Sequence, residues 1–145
     1  MTASTKSVAE AWFDGLDRAD YASAISLLHP DIVWINVPQI KDGSDVIPWI
    51  GTARGLDEVT HQFTKRDGVC EVKEFKSVGL VCEGNTAVGL VRDKATIIKT
   101  NITFEIIFAS WMTIEDGKIV RWKSYCDTAP IIAAFNGIQP PSPEI

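Results

Sequence analysis

The sequence is poor in the side chains that hold metals. Only two of its 145 residues are histidine, His29 and His61, and no carboxylate cluster lies near either. A metal centre needs several such ligands converging at defined spacing, so none is expected. Cys70, Cys82 and Cys126 are odd in number and form no CxxC or Cys/His pattern. They read as buried free thiols of a reducing compartment, which argues against disulfides and zinc. Lys and Arg never run beyond two in a row, at Lys65-Arg66, and the net charge is −5, so nucleic acid is not an expected partner. Apolar runs are strand-sized, short of the ~18 residues of a membrane helix. The start, MTASTKSVAEAWF, lacks the apolar core of a signal peptide. These absences point to a cytoplasmic chain without metal or nucleotide cofactor, nucleic acid or membrane span.

What is present is ordinary globular material, 46% apolar and 23% charged, sized for a single domain over residues 1–145. Val8, Trp12 and Leu16 are spaced for a helix over 5–18, with Thr5 as its cap. Asp20 caps a second, whose Tyr21, Ala24, Ile25 and Leu28 form a stripe. His29-Pro30 ends it, because the residue before proline is pushed out of the α region. The imidazole of His29 is expected to bond the free carbonyls there. DIVWINVP then alternates, with Ile32, Trp34 and Asn36 on one side. VIPWIGTARG follows, a loop by its Pro and Gly yet rich in apolar side chains. A third helix runs from about Leu56 to Arg66, with Leu56, Val59 and Phe63 on its stripe; His61 lies off it, toward solvent or a pocket rim.

From Val69 the period is two. Four long strands are separated by turns at Glu83-Gly84-Asn85, Lys99-Thr100-Asn101 and Glu115-Asp116-Gly117. TAPIIAAFNGI suggests a short closing helix, and residues from about 137 to 145 a frayed tail. Helices first and antiparallel strands after describe an α+β fold, with helices on one face of a curved sheet. The third long strand is apolar on both sides: Phe104, Ile106 and Phe108 on one, Ile107, Ala109 and Trp111 on the other. The open face needs cover, either a second copy of the chain or the C-terminal tail.

Three stretches, HPDIVWINVP, IPWIGTARGLDEV and GKIVRWKSYCD, resemble in this order the SnoaL-like branch of the NTF2-like superfamily, relatives of limonene-1,2-epoxide hydrolase and ketosteroid isomerase. The resemblance implies a cone, three N-terminal helices on a curved, mainly antiparallel sheet enclosing a pocket. Trp49 and Ile50 would wall or lid that pocket, or plug the core end.

Asp93 shares its strand face with Gly89, Val91 and Ala95, where burial disfavours charge and suits acid/base work; beside solvent it would instead pair with Lys94 or Arg92. The resemblance places Asp93 where epoxide hydrolases of this fold keep their general acid. It places Trp34 and Asn36 where they hold a water. It also shows two departures: Val91 stands for the family's arginine and Ser124 for its second aspartate, so the hydrolase triad is absent. Isomerase chemistry would need a tyrosine, for which Tyr21 is available, and a second carboxyl. Asp127 and Tyr125 fall on the strand face opposite Ser124 and read as support for the strand end or a dimer.

The resulting expectation is a cofactor-free isomerase, cyclase or related enzyme for an apolar oxygenated molecule, such as a polyketide, terpenoid or steroid-like compound. Asp93 would move the proton, Asn36 and Ser124 would position the substrate, and Trp34, Trp49, Phe104, Phe108 and Trp122 would wall the cavity. The alternatives are a non-enzymatic binder of small hydrophobic molecules, a divergent epoxide hydrolase, or an interaction module using the open sheet face.

Overall fold

The computed structural model describes residues 3–38 and 46–144. Helix α1 spans Thr5–Asp17 and buries Val8, Trp12 and Leu16, the expected stripe. Its cap is Ser4 rather than Thr5, through a bond from the Ser7 N–H to Ser4 Oγ. Helix α2 is a short Tyr21–Ile25 turn capped by Asp20. It ends earlier than its apolar pattern suggests, because Leu28 opens strand β1, Leu28–Asn36. His29 is therefore a strand residue, and its Nδ1 accepts the Asp31 N–H at 2.9 Å instead of serving a helix end.

The apolar loop is half strand. Gly51–Arg54 forms β2, antiparallel to β1 at the edge of the sheet. Helix α3 follows over Gly55–Val69. Strands β3 Cys70–Glu83, β4 Thr86–Ile97, β5 Ile102–Glu115 and β6 Lys118–Tyr125 form the meander. The Asp116-Gly117 turn has φ of +49° and +76°, the primed geometry that matches strand twist. The six strands order as β2-β1-β6-β5-β4-β3, and only the β1–β6 pairing is parallel. Helix α4, Ala129–Phe135, closes the chain as the short helix expected after the three N-terminal ones.

Alternation decides which side chains face inward. In β4, Ala87, Gly89, Val91, Asp93, Ala95 and Ile97 point to the concave side. Gly89 is required by close packing, since a Cβ there would sit 2.2 Å from Phe13 Cζ on α1. Helices α1 and α3 lie on this concave face, and α4 packs on β5. The C-terminal segment does not cover the open face, because Ile131 of α4 points into the cavity and Phe135 packs on Trp49. The tail expected to fray is fastened: Gln139 Nε2 donates to the Thr103 carbonyl at 2.8 Å, and Pro140 is buried. Ile145 lies outside the described residues.

Candidate active site

The helices and the curled sheet leave a cavity of about 90 Å³, open at its mouth. Its floor is aromatic. Trp34 of β1 and Trp122 of β6 stack face to face, ring centroids 3.7 Å apart and planes 7° from parallel. The parallel register pairs these two residues directly, so adjacent strands hold the indoles in contact. Phe63 of α3 meets Trp34 edge-on, and Phe75 of β3 packs on Phe108 of β5. Trp49 is buried and walls the mouth beside Phe135. Of the expected wall residues, Trp34, Trp49, Phe108 and Trp122 line the cavity. Phe104 does not: it is fully buried in the core, two residues further from the cavity along β5 than Ile106.

Asp93 points inward and is 3% exposed. Its partner is neither Arg92 nor Lys94 but Arg66, from the last turn of α3, whose Nη2 lies 2.6 Å from Asp93 Oδ1. Arg92 instead faces Glu105 on the far side of the sheet. Burial works against the Arg66 charge, and the Asp93 carboxylate more than offsets it, so Arg66 is held above its ordinary pKa and stays cationic. Its guanidinium also lies 5.3 Å from the Trp49 ring centre and 5.8 Å from that of Phe75, an aromatic box for a cation.

Asn36 and Ser124 line the cavity, but they serve each other and the backbone. Ser124 Oγ donates to Asn36 Oδ1 at 3.0 Å and accepts the Val37 N–H at 3.1 Å. A hydroxyl bonded in this way ties β6 to the end of β1. Among the described residues no hydrogen bond joins Asp93 to either of them.

Among the other polar groups on the wall, Gln62 and Asp67 were not foreseen. Gln62 donates from Nε2 to the Gly51 carbonyl at 3.1 Å, pinning α3 to β2. Asp67 is a second carboxylate, on the exposed rim. Tyr21 lines the cavity against Phe63, and its hydroxyl is pushed up in pKa by burial and by Asp67. Cys126 lies there too, and burial, with Asp93 nearby, pushes its thiol up to about 12, which leaves it a poor nucleophile. The stripe of α3 carried a usable signal: Phe63 plus three and Val59 plus seven both lead to Arg66. His61 is exposed and off the wall; Asp127 Oδ1 accepts the Ala129 N–H at the start of α4. No group of His, Cys, Asp and Glu suited to a metal occurs among the described residues, and no helix there is long and apolar enough to cross a membrane.

Residues 9–122 match the SnoaL-like domain. The chain belongs to the SnoaL-like family. Its architecture recurs in solved structures. An NTF2-like protein from Burkholderia thailandensis is 25% identical, with a TM-score of 0.79 over 95% of this SnoaL-like chain and 99% of that one. TerC, co-crystallised with polyporic acid, is 19% identical, with a TM-score of 0.78 over 91% and 98%. A protein from Mesorhizobium loti provisionally called a SnoaL-like polyketide cyclase is 15% identical, with a TM-score of 0.70 over 85% and 99%. A search of curated proteins finds no match to the sequence.

Proposed function

We propose that this SnoaL-like chain is a small acid/base enzyme of the isomerase or cyclase kind. Its substrate is an apolar, oxygenated small molecule of polyketide, terpenoid or steroid-like character. The observation that carries the reading is Asp93, a carboxylate 3% exposed on the wall of an aromatic cavity and held by one hydrogen bond from Arg66. A carboxylate shielded from water, within an apolar pocket, is placed to take a proton from a bound molecule and return it elsewhere. The other Asp93 oxygen is free of recorded partners among the described residues. Solved structures of this fold include a protein provisionally called a SnoaL-like polyketide cyclase and one co-crystallised with polyporic acid.

Epoxide hydrolysis is disfavoured by the chemistry of the wall. Arg66 supplies beside Asp93 the guanidinium that Val91 lacks, but Ser124, bonded to Asn36 and Val37, offers no carboxylate to activate water.

The test is turnover of a panel of enolisable cyclic and polycyclic ketones, followed by exchange of the α-hydrogen with solvent deuterium. Asp93→Asn is expected to lower exchange of the best compound by about 10²–10⁴-fold. Full exchange in Asp93→Asn overturns the assignment. Tight binding of several compounds with no exchange by the wild type makes the protein a carrier instead.

A further inference from the structure

We infer that Arg66 is the group that holds the ligand's oxygen as negative charge develops on it, and that the cavity selects neutral ligands with an ionisable oxygen over permanent anions. This deepens the acid/base reading, which supplies Asp93 as the proton acceptor.

The first line of argument is the inventory of unpaired atoms. The buried side-chain nitrogens and oxygens without a partner among the described residues are Trp34 Nε1, Trp122 Nε1, Gln62 Oε1, Arg66 Nε and Arg92 Nε. All but Arg92 belong to the cavity wall. A buried polar atom left unpaired carries the full cost of its lost hydration, and native folds keep few. These four belong to lining residues of α3, β1 and β6, and three of the four are N–H donors. The group that would satisfy them is oxygen-bearing and mainly an acceptor. The stacked indoles and the Phe63, Phe75 and Phe108 rings supply the flat apolar surface for the rest of such a ligand.

The second line is charge. The titratable groups around Arg66 are Asp93 on β4, Asp67 on its own helix, Cys70 at the start of β3, Tyr21 on α2 and Cys126 after β6. Arg66 is the only cation among the described lining residues, and Asp93 already balances it. A carboxylate ligand would add an uncompensated buried charge, with Asp67 of the same sign at the rim. A neutral ketone or phenol adds none. When its C–H or O–H bond breaks, the proton forms an O–H bond on Asp93 and the electron pair remains on the ligand oxygen. Asp93 is then neutral, and Arg66 is released from it to face the new oxyanion. The cavity holds the same net charge before and after, and no oxidant or reductant takes part.

The experiment uses 4-nitrophenol as probe, with nitrobenzene and 4-nitrobenzoate as its uncharged and permanently anionic counterparts. The phenolate absorbance of protein-bound 4-nitrophenol is titrated against pH. It is expected to ionise at least tenfold more readily bound than free. 4-Nitrobenzoate is expected to bind at least tenfold more weakly than 4-nitrophenol. Arg66→Met should abolish the gain in ionisation while leaving nitrobenzene bound. Asp93→Asn should keep or enlarge the gain, since Arg66 then has no competing anion. If Arg66→Met does not fold, the same comparison is made between Asp93→Asn and Arg66→Met combined with Asp93→Asn. Ionisation unchanged or suppressed on binding overturns the inference, as does a gain that survives loss of Arg66. Retained deuterium exchange in Asp93→Asn, with the ionisation gain intact, would instead sink the acid/base role of Asp93 alone.

Discussion

Ser124 Oγ has one proton and two lone pairs, and the fold commits the proton to Asn36 and a lone pair to the Val37 N–H. Val37 has φ of +56°, a left-handed conformation that β-branched residues avoid. The serine therefore helps hold a strained backbone at the end of β1. Its removal leaves two polar groups short of a partner in a part-buried setting. Ser124→Ala is expected to lower unfolding free energy by about 1–3 kcal/mol, read from the midpoint of urea denaturation, with little effect on exchange by the wild-type chemistry. An unchanged midpoint combined with lost exchange would return Ser124 to the catalytic set. Asp93 and Ser124 were both assigned inward faces by strand alternation, and both face inward. What their faces could not reveal was their partners. Asp93 found an arginine 27 residues away, and Ser124 found a residue 88 positions away, both across elements.

At the scale of elements, the contact of α1 on β4 is set by a pair of complementary shapes. The Phe13 ring occupies the space that any side chain on Gly89 would need. Overpacking of this kind displaces a rigid ring rather than a flexible chain. Gly89→Ala is expected to cost about 1–3 kcal/mol, and Phe13→Leu in the same background should recover part of it. The check is a double-mutant comparison of thermal or urea midpoints; additive effects would mean the two residues do not meet. The order of elements and nearly all of their types were legible in periodicity. The errors fell at ends and junctions. Leu28 fits the helical stripe of α2 as well as the first position of β1, and tertiary pairing with Ile119 decides for the strand. Gly51–Arg54 reads as turn chemistry, yet hydrogen bonding to β1 draws it into the sheet.

On the scale of the whole molecule, the convex face of the sheet is partly apolar. Leu90 and Trp111 are 44% and 48% exposed, Tyr125 is 54% exposed, and Ala109 is paired with both Leu90 and Tyr125 between them. Since the C-terminal helix serves the cavity side, it leaves this face uncovered. We propose that two copies pair through it. Sedimentation equilibrium is expected to return twice the chain mass, and Trp111→Lys with Leu90→Glu should return the monomer with the cavity intact. A wild-type monomer at micromolar concentration sinks the proposal.

The sequence by itself determined the alternation of element types, the turns and the inward face of each strand, because those depend on local dihedral preferences and on the two periods of helix and strand. It also placed Trp34, Trp122 and Asp93 on inward faces. Tertiary structure alone decided the rest. It stacked Trp34 on Trp122 through the parallel β1–β6 pairing, swung α3 so that Arg66 reaches Asp93, and consumed the Ser124 hydroxyl between β6 and β1. The physical reason is that a helix's rotation over a sheet and the sheet's curvature are set by the packing of all elements together. No period within one element encodes which side chains then meet across the gap.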